Sequence, residues 1–566
     1  MPNPSPTPSP TPPTWPHCGR GAALQDPVGC RGIHVLGHSE CLAHLDAAAR
    51  NAYLAALSPG ADVDHRGTTI TGPLLDALLA VLRDPATGAP RLGDARFESA
   101  TFEGDAVFTS ATFTGDAAFG SATFEGGAWF RSATFEGDAG FRAATFEGDA
   151  VFEWATFEGD ALFGAATFEG DAVFESATFR GGAWFVTATF MGDAWFESVT
   201  FEKALSLGPL VCAGRVVLSG AVFGGPVSLA FAARRLECRR TRWLSTAELR
   251  LRYTTVDFAH AVFEYPLTIA AERDAFVFSN GRQVEEDPVF GGSDAAVRMA
   301  SLRGVDAAHL VLADVGLAGC LFTGTVHLDQ IRLEGTCSFD TVPPRDGHLV
   351  RFTRRRTLAE EHHWRATEPT AARGWNVAVL GAEHVGPAQL APVYRALRKS
   401  FEDSKNEPGA ADFYYGEMEM RRHDRTGTTR AECGLLHGYW LLSGYGLRAS
   451  RALGWLAAAM LITMVLLMGF GLPKDDPKQE ATGTIPAGGG RVTFEIDRDD
   501  PASPTGNRFT GKRFEKALNV TLNSVVFRSS GQDLTTAGTY IEMTSRLTEP
   551  LLLALAVLAV RNRVKR

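Results

Sequence analysis

Between residues 95 and 202 the bulky apolar positions recur in strict alternation. Phe stands at 97, 102, 108, 113, 119, 124, 130, 135, 141, 146, 152, 157, 163, 168, 174, 179, 185, 190, 196 and 201, at steps of five and six. The unit is eleven residues long, as in Ala144-Thr145-Phe146-Glu147-Gly148-Asp149-Ala150-Val151-Phe152-Glu153-Trp154, with Ala two places before almost every Phe. An amphipathic helix of that period is the first rival. It would carry Gly at 104, 115, 126, 137, 148, 159, 170, 181 and 192, each costing roughly 1 kcal/mol relative to Ala in a helix interior. The pattern instead predicts a stacked coil in which no single unit buries its own apolar face. Its corners take the Gly, and its interior takes one bulky and one small residue per side.

The step Ala-x-Phe-x-x, with one residue added in every second unit, resembles the pentapeptide-repeat family. The resemblance implies a mainly β fold, a right-handed quadrilateral β-helix in which two eleven-residue units make one coil. Equivalent residues then lie one strand spacing apart, about 4.8 Å, and the regular block makes roughly five coils, on the order of 24 Å of rod. Phe and Ala form separate internal ladders, and acidic residues such as Glu103, Glu125, Glu147, Glu169, Asp105, Asp149, Asp171 and Asp193 line the outside. After Phe201 the cadence loosens, but Val216 to Phe223, Ala259 to Phe263 and Leu310 to Phe339 keep it. The solenoid is therefore expected over 91–341, with an extruded loop at about 271–295 whose tip is Gln283 to Asp287.

Ahead of the repeat, residues 1–16 form a Pro-rich tail expected to be disordered, and 17–90 a cap. The cap holds a helical stretch from Leu42 to Leu57 and an apolar helix carrying Leu74, Leu75, Leu78, Leu79 and Leu82. Such a cap covers the open end of a solenoid, which otherwise exposes unpaired strand edges. Cys18, Cys30 and Cys41 with His44 make a candidate structural zinc site, since three thiolates and one imidazole satisfy a tetrahedral ion and leave no open position for catalysis. Buried thiols beside surface histidines are the alternative.

Beyond the repeat, 342–388 reads as an irregular basic linker, with a short helix around Thr357 to Trp364 on the end of the rod. The adjacent His362 and His363 point about 100° apart on a helix and do not share a ligand face. Residues 389–447 read as a helical hairpin turning at Asn406 to Gly409, with Tyr394, Phe401, Phe413, Tyr414 and Tyr415 between its helices. Ala452 to Leu472 is 21 residues without a charge, enough to cross a bilayer core of about 30 Å. A second apolar helix over about 541–560 spans only if it takes in Glu542, Arg546 and Glu549; a re-entrant segment is the alternative. Arg448 and Arg451 before the first, and Arg561, Arg563, Lys565 and Arg566 after the second, place both ends on the cytoplasmic side of a plasma membrane and 473–540 outside. The hairpin and Ser443-Gly444-Tyr445-Gly446 resemble the juxtamembrane part of actinobacterial pentapeptide-repeat membrane proteins. Those proteins often carry an oxidoreductase label.

The net charge of -10 argues against nucleic acid as a partner, and the eight Cys without an early apolar run fit a reducing compartment. No Gly-x-Gly-x-x-Gly follows a strand and opens a helix, and no Cys-x-x-Cys occurs. No catalytic or cofactor-binding residue is assigned, and the oxidoreductase reading rests on the resemblance alone. Phe514 to Phe527 followed by Thr535, Thr536, Ala537, Gly538, Thr539 and Tyr540 resembles the pore helix and filter of two-helix ion channels, with Thr539 where their second filter Gly stands. The leading expectation is a membrane-anchored scaffold presenting a cytoplasmic solenoid to a protein partner of unknown identity. A diverged pore, which requires a homo-oligomer, is the alternative.

Overall fold

In the computed structural model, residues 11–203, 205–277, 281–284, 286, 290–291, 294–343, 355–368, 374–375, 385–474, 479–483, 488, 495–498, 501–502 and 505–564 are described. Most of the 1–16 tail, much of the 342–388 linker, part of the 283–287 tip, and Lys565 and Arg566 lie outside them. Two units divide the chain at residues 385 and 386.

The first unit is a parallel four-sided solenoid. In the regular block four short strands occur per 22 residues, for example Thr101–Glu103, Ala106–Val107, Thr112–Phe113 and Ala117–Ala118. Each pairs with the strand four further on, so Thr123 lies on Thr145 and Phe124 on Phe146. Every repeat Phe is at most 2% exposed. Rings of one ladder stack nearly flat, as at Phe124, Phe146 and Phe168 with centroids 4.8 Å apart, while neighbouring ladders meet edge to face, as at Phe146 and Phe152. Both are favoured aromatic geometries, and the small Ala of each unit fills what the rings leave.

The Gly stand at corners, as expected, but, Gly104 aside, they are not the residues held at positive φ in the regular block. The residues held at positive φ recur every eleven positions, but they are Ser99, Ser110, Ser121, Ser132, Ala143, Trp154, Ala165, Ser176, Thr187 and Ser198, with φ from 55° to 64°. The Gly lie at another corner, where successive coils touch through their backbones. A Cβ on Gly148 would sit 2.6 Å from the carbonyl oxygen of Gly126. Gly is required there by close approach rather than by turn geometry.

The Asp that follows most of these Gly is a lock between coils rather than mere solvation. Asp138 accepts the backbone N–H of Asp160 at 2.8 Å, and Asp160 accepts that of Gly182 at 2.8 Å. On the second such corner Asp149 accepts from Asp171 at 3.0 Å and Asp171 from Asp193 at 2.9 Å. Two Asp ladders therefore run along the axis and satisfy donors that the corners would leave open.

From Leu205 onward the Gly-Asp corners give way to long strands, Leu205–Val217 and Val227–Glu237, and the coil shortens, since Val227 pairs with Ala247 and Ala247 with Leu267. Leu267 then pairs with Leu310, which locates the insertion. It is not simply extruded. Phe276, Val284 and Phe290 fold onto Val211 and Ala232, and Arg252 donates to Glu286 at 2.7 Å with both side chains buried. Apolar residues spaced through a polar stretch bring the insertion back onto the sheet.

At the N-terminal end, Val63–Asp64 and Thr69–Thr71 supply the first rungs, pairing with Ala95–Arg96 and Thr101–Glu103. Helix α1 spans Ala47–Ala56, starting five residues later than expected behind the Asp46 cap, and α2 spans Gly72–Val81 with Leu74, Leu75, Leu78 and Leu79 buried. At the other end, α3 (Ala359–Thr367) is tied down by Glu360, whose buried carboxylate accepts from the backbone of Phe322 and Thr323.

The second unit is helical. Helices α4 (Pro387–Asp403) and α5 (Glu407–His423) form a hairpin; Asn406 caps α5, and Arg395 and Arg398 both reach the buried Glu417 at 2.8 Å. Next come α6 (Arg430–Ser443) and α7 (Ala449–Leu466), which runs on as a π-helical turn over Leu467–Gly471. Helices α8 (Gly511–Val525) and α9 (Thr536–Val564) complete it. Helix α8 packs Ala517 and Val520 on Leu467, Met468 and Leu472, and Arg513 donates to the Met468 and Leu472 carbonyls at the end of the turn.

Candidate metal centre

Cys18 and Cys30 lie twelve residues apart, and the backbone closes that gap with a hairpin. Cys18 N–H donates to Gly32 at 2.9 Å, Gly19 to Cys30 at 2.8 Å, and Cys30 to Arg20 at 2.9 Å. Gly32 leaves the space that Cys41 fills, since a Cβ there would lie 2.7 Å from the Cys41 Cβ. Cys41 and His44 share one tight turn, the His44 N–H bonding the Cys41 carbonyl at 2.9 Å, just before α1.

The four ligand atoms lie within 4.8 Å of one another. Cys30 Sγ is 3.7 Å from Cys41 Sγ, and His44 Nδ1 is 3.5 Å from Cys18 Sγ and 3.4 Å from Cys41 Sγ. For a tetrahedral zinc with Zn–S about 2.3 Å and Zn–N about 2.0–2.1 Å, ligand separations come to roughly 3.8 Å for S to S and 3.6 Å for S to N. The donor set and its dimensions therefore fit such an ion. All three sulfurs are free thiols.

Burial pushes the Cys41 thiol up to about 12, with the neighbouring Cys30 adding to it and the His44 N–H pulling it partly back. Burial also raises Cys30. Thiols so disposed hold their protons until a cation displaces them, so occupancy by a metal weakens as pH falls. His17, His34 and His38 are not part of the cluster. The set of four was readable from residue type; the hairpin that brings Cys18 to Cys30 was not, although Gly19, Gly21 and Gly29, all at positive φ, are its signal.

The candidate filter is built differently from the expectation. Thr536 to Tyr540 form the first turns of α9 rather than a loop. Thr535 caps that helix, its Oγ1 accepting the Gly538 N–H at 3.1 Å and donating to the Phe470 carbonyl at 2.8 Å. Gly538 abuts Gly471 so closely that a Cβ would overlap the Gly471 carbonyl. A Thr three residues before Gly538 is an N-cap signal, and capping wins over an extended filter. The stretch between α8 and α9 that is not helical is 526–535.

The family model described as pentapeptide repeats (9 copies) matches residues 91–134, 119–167, 130–178 and 163–208. That is the regular block. No curated protein and no solved structure matches the chain. The matched residues are those whose Phe, Ala, Gly and Asp positions are all accounted for by packing between coils, so the family match speaks to the solenoid and not to the metal cluster or the helical unit.

Proposed function

We propose that the chain is a membrane-anchored scaffold in which the pentapeptide-repeat solenoid is displayed on the cytoplasmic side of a plasma membrane for a protein partner, with a structural zinc ion holding the N-terminal cap. The observation that carries this reading is the pair of helices long and apolar enough to cross a membrane, Ala449–Gly471 and Thr536–Asn562. At 1.5 Å per residue each exceeds a hydrocarbon core of about 30 Å. A common side for their basic ends is supported by Asn562, whose amide reaches the Gly446 carbonyl at 3.4 Å and so brings the end of α9 to the start of α7. A partner surface is supported by the outward residues Val107, Trp129, Val173 and Trp195 of one solenoid face, which fall on a 22-residue ladder along the axis whose middle rung, Val151, is covered. Four protein ligands close a zinc site to substrate, so the ion's role is to fold the cap.

Membrane fractions washed at alkaline pH test the anchor: the full chain stays with the lipid and a chain ending at residue 448 is released. Retention of neither overturns the reading. Elemental analysis tests the ion, with zinc expected in the parent and lost in Cys41→Ser.

A second reading, a two-helix pore, is favoured by one observation: α8 is an amphipathic helix packed between the end of α7 and the start of α9. Two spans per chain cannot enclose water alone, so it requires several copies around an axis. Ion flux from liposomes, measured with the oligomeric mass in detergent, decides it; a monomer without flux removes the pore.

A further inference from the structure

Helix α9 carries a carboxylate that the scaffold reading does not use. Glu549 is 0% exposed, and neither of its oxygens has a hydrogen-bond partner among the described residues. The hydroxyl of Thr463 on α7 is its polar neighbour across the helix contact, short of hydrogen-bond geometry. The groups that could pair with it are placed elsewhere. From Ala452 to Gly471, α7 and its π-helical turn contain no titratable residue. On α9, Glu542 is engaged by Ser530 and Arg546 donates to the Phe527 carbonyl. On α8, Arg513 is held by the carbonyls of Met468, Leu472 and Pro473, and the remaining charges there, Lys512, Glu515 and Lys516, form no ion pair with Glu549 among the described residues.

A buried carboxylate without a cation or donors is far costlier than its neutral acid, and ionisable residues inside membrane segments are expected to have a ligand or a partner. A metal cation needs several oxygen ligands, and one hydroxyl is on hand. A proton needs one acceptor. Pro550 has no N–H, so the Arg546 carbonyl one turn back lacks its helical donor and offers an acceptor close in sequence to a protonated Glu549. A groove of about 480 Å³ between α7 and α9 is lined by Trp455, Ile462, Thr463, Tyr540, Thr544 and Ser545 among others; Glu549 is not part of that lining, and Thr463 is the residue the groove and the carboxylate have in common.

We propose that Glu549 is a proton-binding site of the membrane unit, a neutral carboxyl enclosed between α7 and α9. This rests on the membrane reading of these helices. The test uses the full chain in phosphatidylcholine nanodiscs at neutral pH with two carbodiimides. Apolar dicyclohexylcarbodiimide, which adds to protonated carboxyls from the lipid phase, is expected to modify Glu549 well ahead of every other acidic residue in peptide mapping. A water-soluble carbodiimide with glycine ethyl ester is expected to leave it untouched. Equal modification by both reagents, or none by the apolar one when the unfolded chain is modified at the same peptide, overturns the proposal. Infrared spectra give an independent reading: Glu549→Gln, the isostere of the neutral form, should remove one protonated-carboxyl carbonyl band and keep the parent's thermal midpoint. A lowered midpoint with no band lost means the group was charged, and overturns it too. Release of the parent chain by alkaline washing overturns the membrane reading alone, because the infrared band measured in detergent still decides the state of Glu549.

Discussion

The coils up to Phe201 and those after Leu205 share one interior rule, and left-handed residues recur at a corner of both (Ser198, then Gly220, Arg240 and His260), but they finish their other corners differently. In the first set the corners follow one scheme: Gly where backbones touch, Asp at all but two positions to lock the next coil, a left-handed residue every eleven positions. In the second, strands of 13 and 11 residues run through the corner, the Asp ladders stop at Arg215, and an insertion with a buried ion pair seals the sheet instead. What persists is small-x-large pointing inward. The comparison teaches that the interior step makes the solenoid, while the strict eleven-residue repeat is one of two ways to finish its corners.

The largest expected effect tests the shared rule. Phe146→Ala, at 0% exposure in the middle of a stacked ladder, should cost about 3–5 kcal/mol through the cavity it leaves. Phe231→Ala in the looser coils, at 1% exposure, should cost about the same. Denaturant unfolding of the two variants checks this. A much smaller cost at Phe231 would mean that the looser coils can collapse around a void and that the interiors are not equivalent.

Next comes the device only the second set has. Glu286→Ala leaves Arg252 buried without its carboxylate partner. Breaking a buried pair from one side costs about 3–5 kcal/mol. The Tyr253 hydroxyl and the Glu272 carbonyl still accept from Arg252, which places the expected loss near about 3 kcal/mol. Hydrogen exchange should localise the loss to 205–271 and leave 95–201 protected.

These two regions also show what the sequence made readable. The Phe and Ala ladders were legible because a side chain every five or six residues, with Gly in every unit, has no helical solution. The corner position of Gly was readable but its reason was not, because periodicity does not separate a residue needed for a turn from one needed for contact: Ser121 and Gly126 are equally periodic, and φ and the Cβ test tell them apart. The insertion read as an extruded loop because its polar residues outnumber Phe276, Val284 and Phe290, although those three decide where it goes. The ligand set Cys18, Cys30, Cys41 and His44 was readable by chemistry. Thr535 to Tyr540 read as a loop because Thr and Gly suit filters and helix caps alike, and only the Gly471 to Gly538 contact shows which of the two is present.

The N-terminal cap adds a pH-dependent term of its own, from a buried histidine. His65 is 1% exposed, tilted against Phe97 with ring centroids 6.0 Å apart, and 3.3 Å from the Tyr53 hydroxyl. Burial pushes its imidazole down to about 4, against a smaller upward pull from Asp64. The unfolded chain takes up this proton near pH 6.5 and the folded chain only near 4. The neutral ring's contribution is therefore complete above about pH 6.5 and is lost as pH falls toward 4, on the order of 3 kcal/mol in all. Unfolding of the full chain between pH 7 and pH 4 should show that loss, and His65→Phe should flatten it. An unchanged slope in the variant would assign the acid sensitivity to groups other than His65.

The smallest effect is the most specific to the regular corner. At two of its positions the Asp of the ladder is absent, at Gly127 and Gly182, and both are followed two residues on by Trp129 and Trp184. A Cβ at Gly127 would lie 2.6 Å from the Trp129 Nε1, and one at Gly182 the same distance from the Trp184 Nε1. The indole therefore occupies the space the Asp would need. Where Asp and Trp do occur together, at Asp193 and Trp195, Arg215 lies over the ring at 4.9 Å and also bonds Asp193. Gly127→Asp alone should then destabilise the solenoid by displacing the indole. Combined with Trp129→Val, which recreates the Asp149-Ala150-Val151 corner one coil on, it should gain the lock onto Asp149 N–H that every unbroken rung has. A double-mutant cycle should return a favourable coupling on the order of 1 kcal/mol. Additive effects would mean that Gly and Trp share those units without interacting, and that the ladder's interruptions are not packing choices.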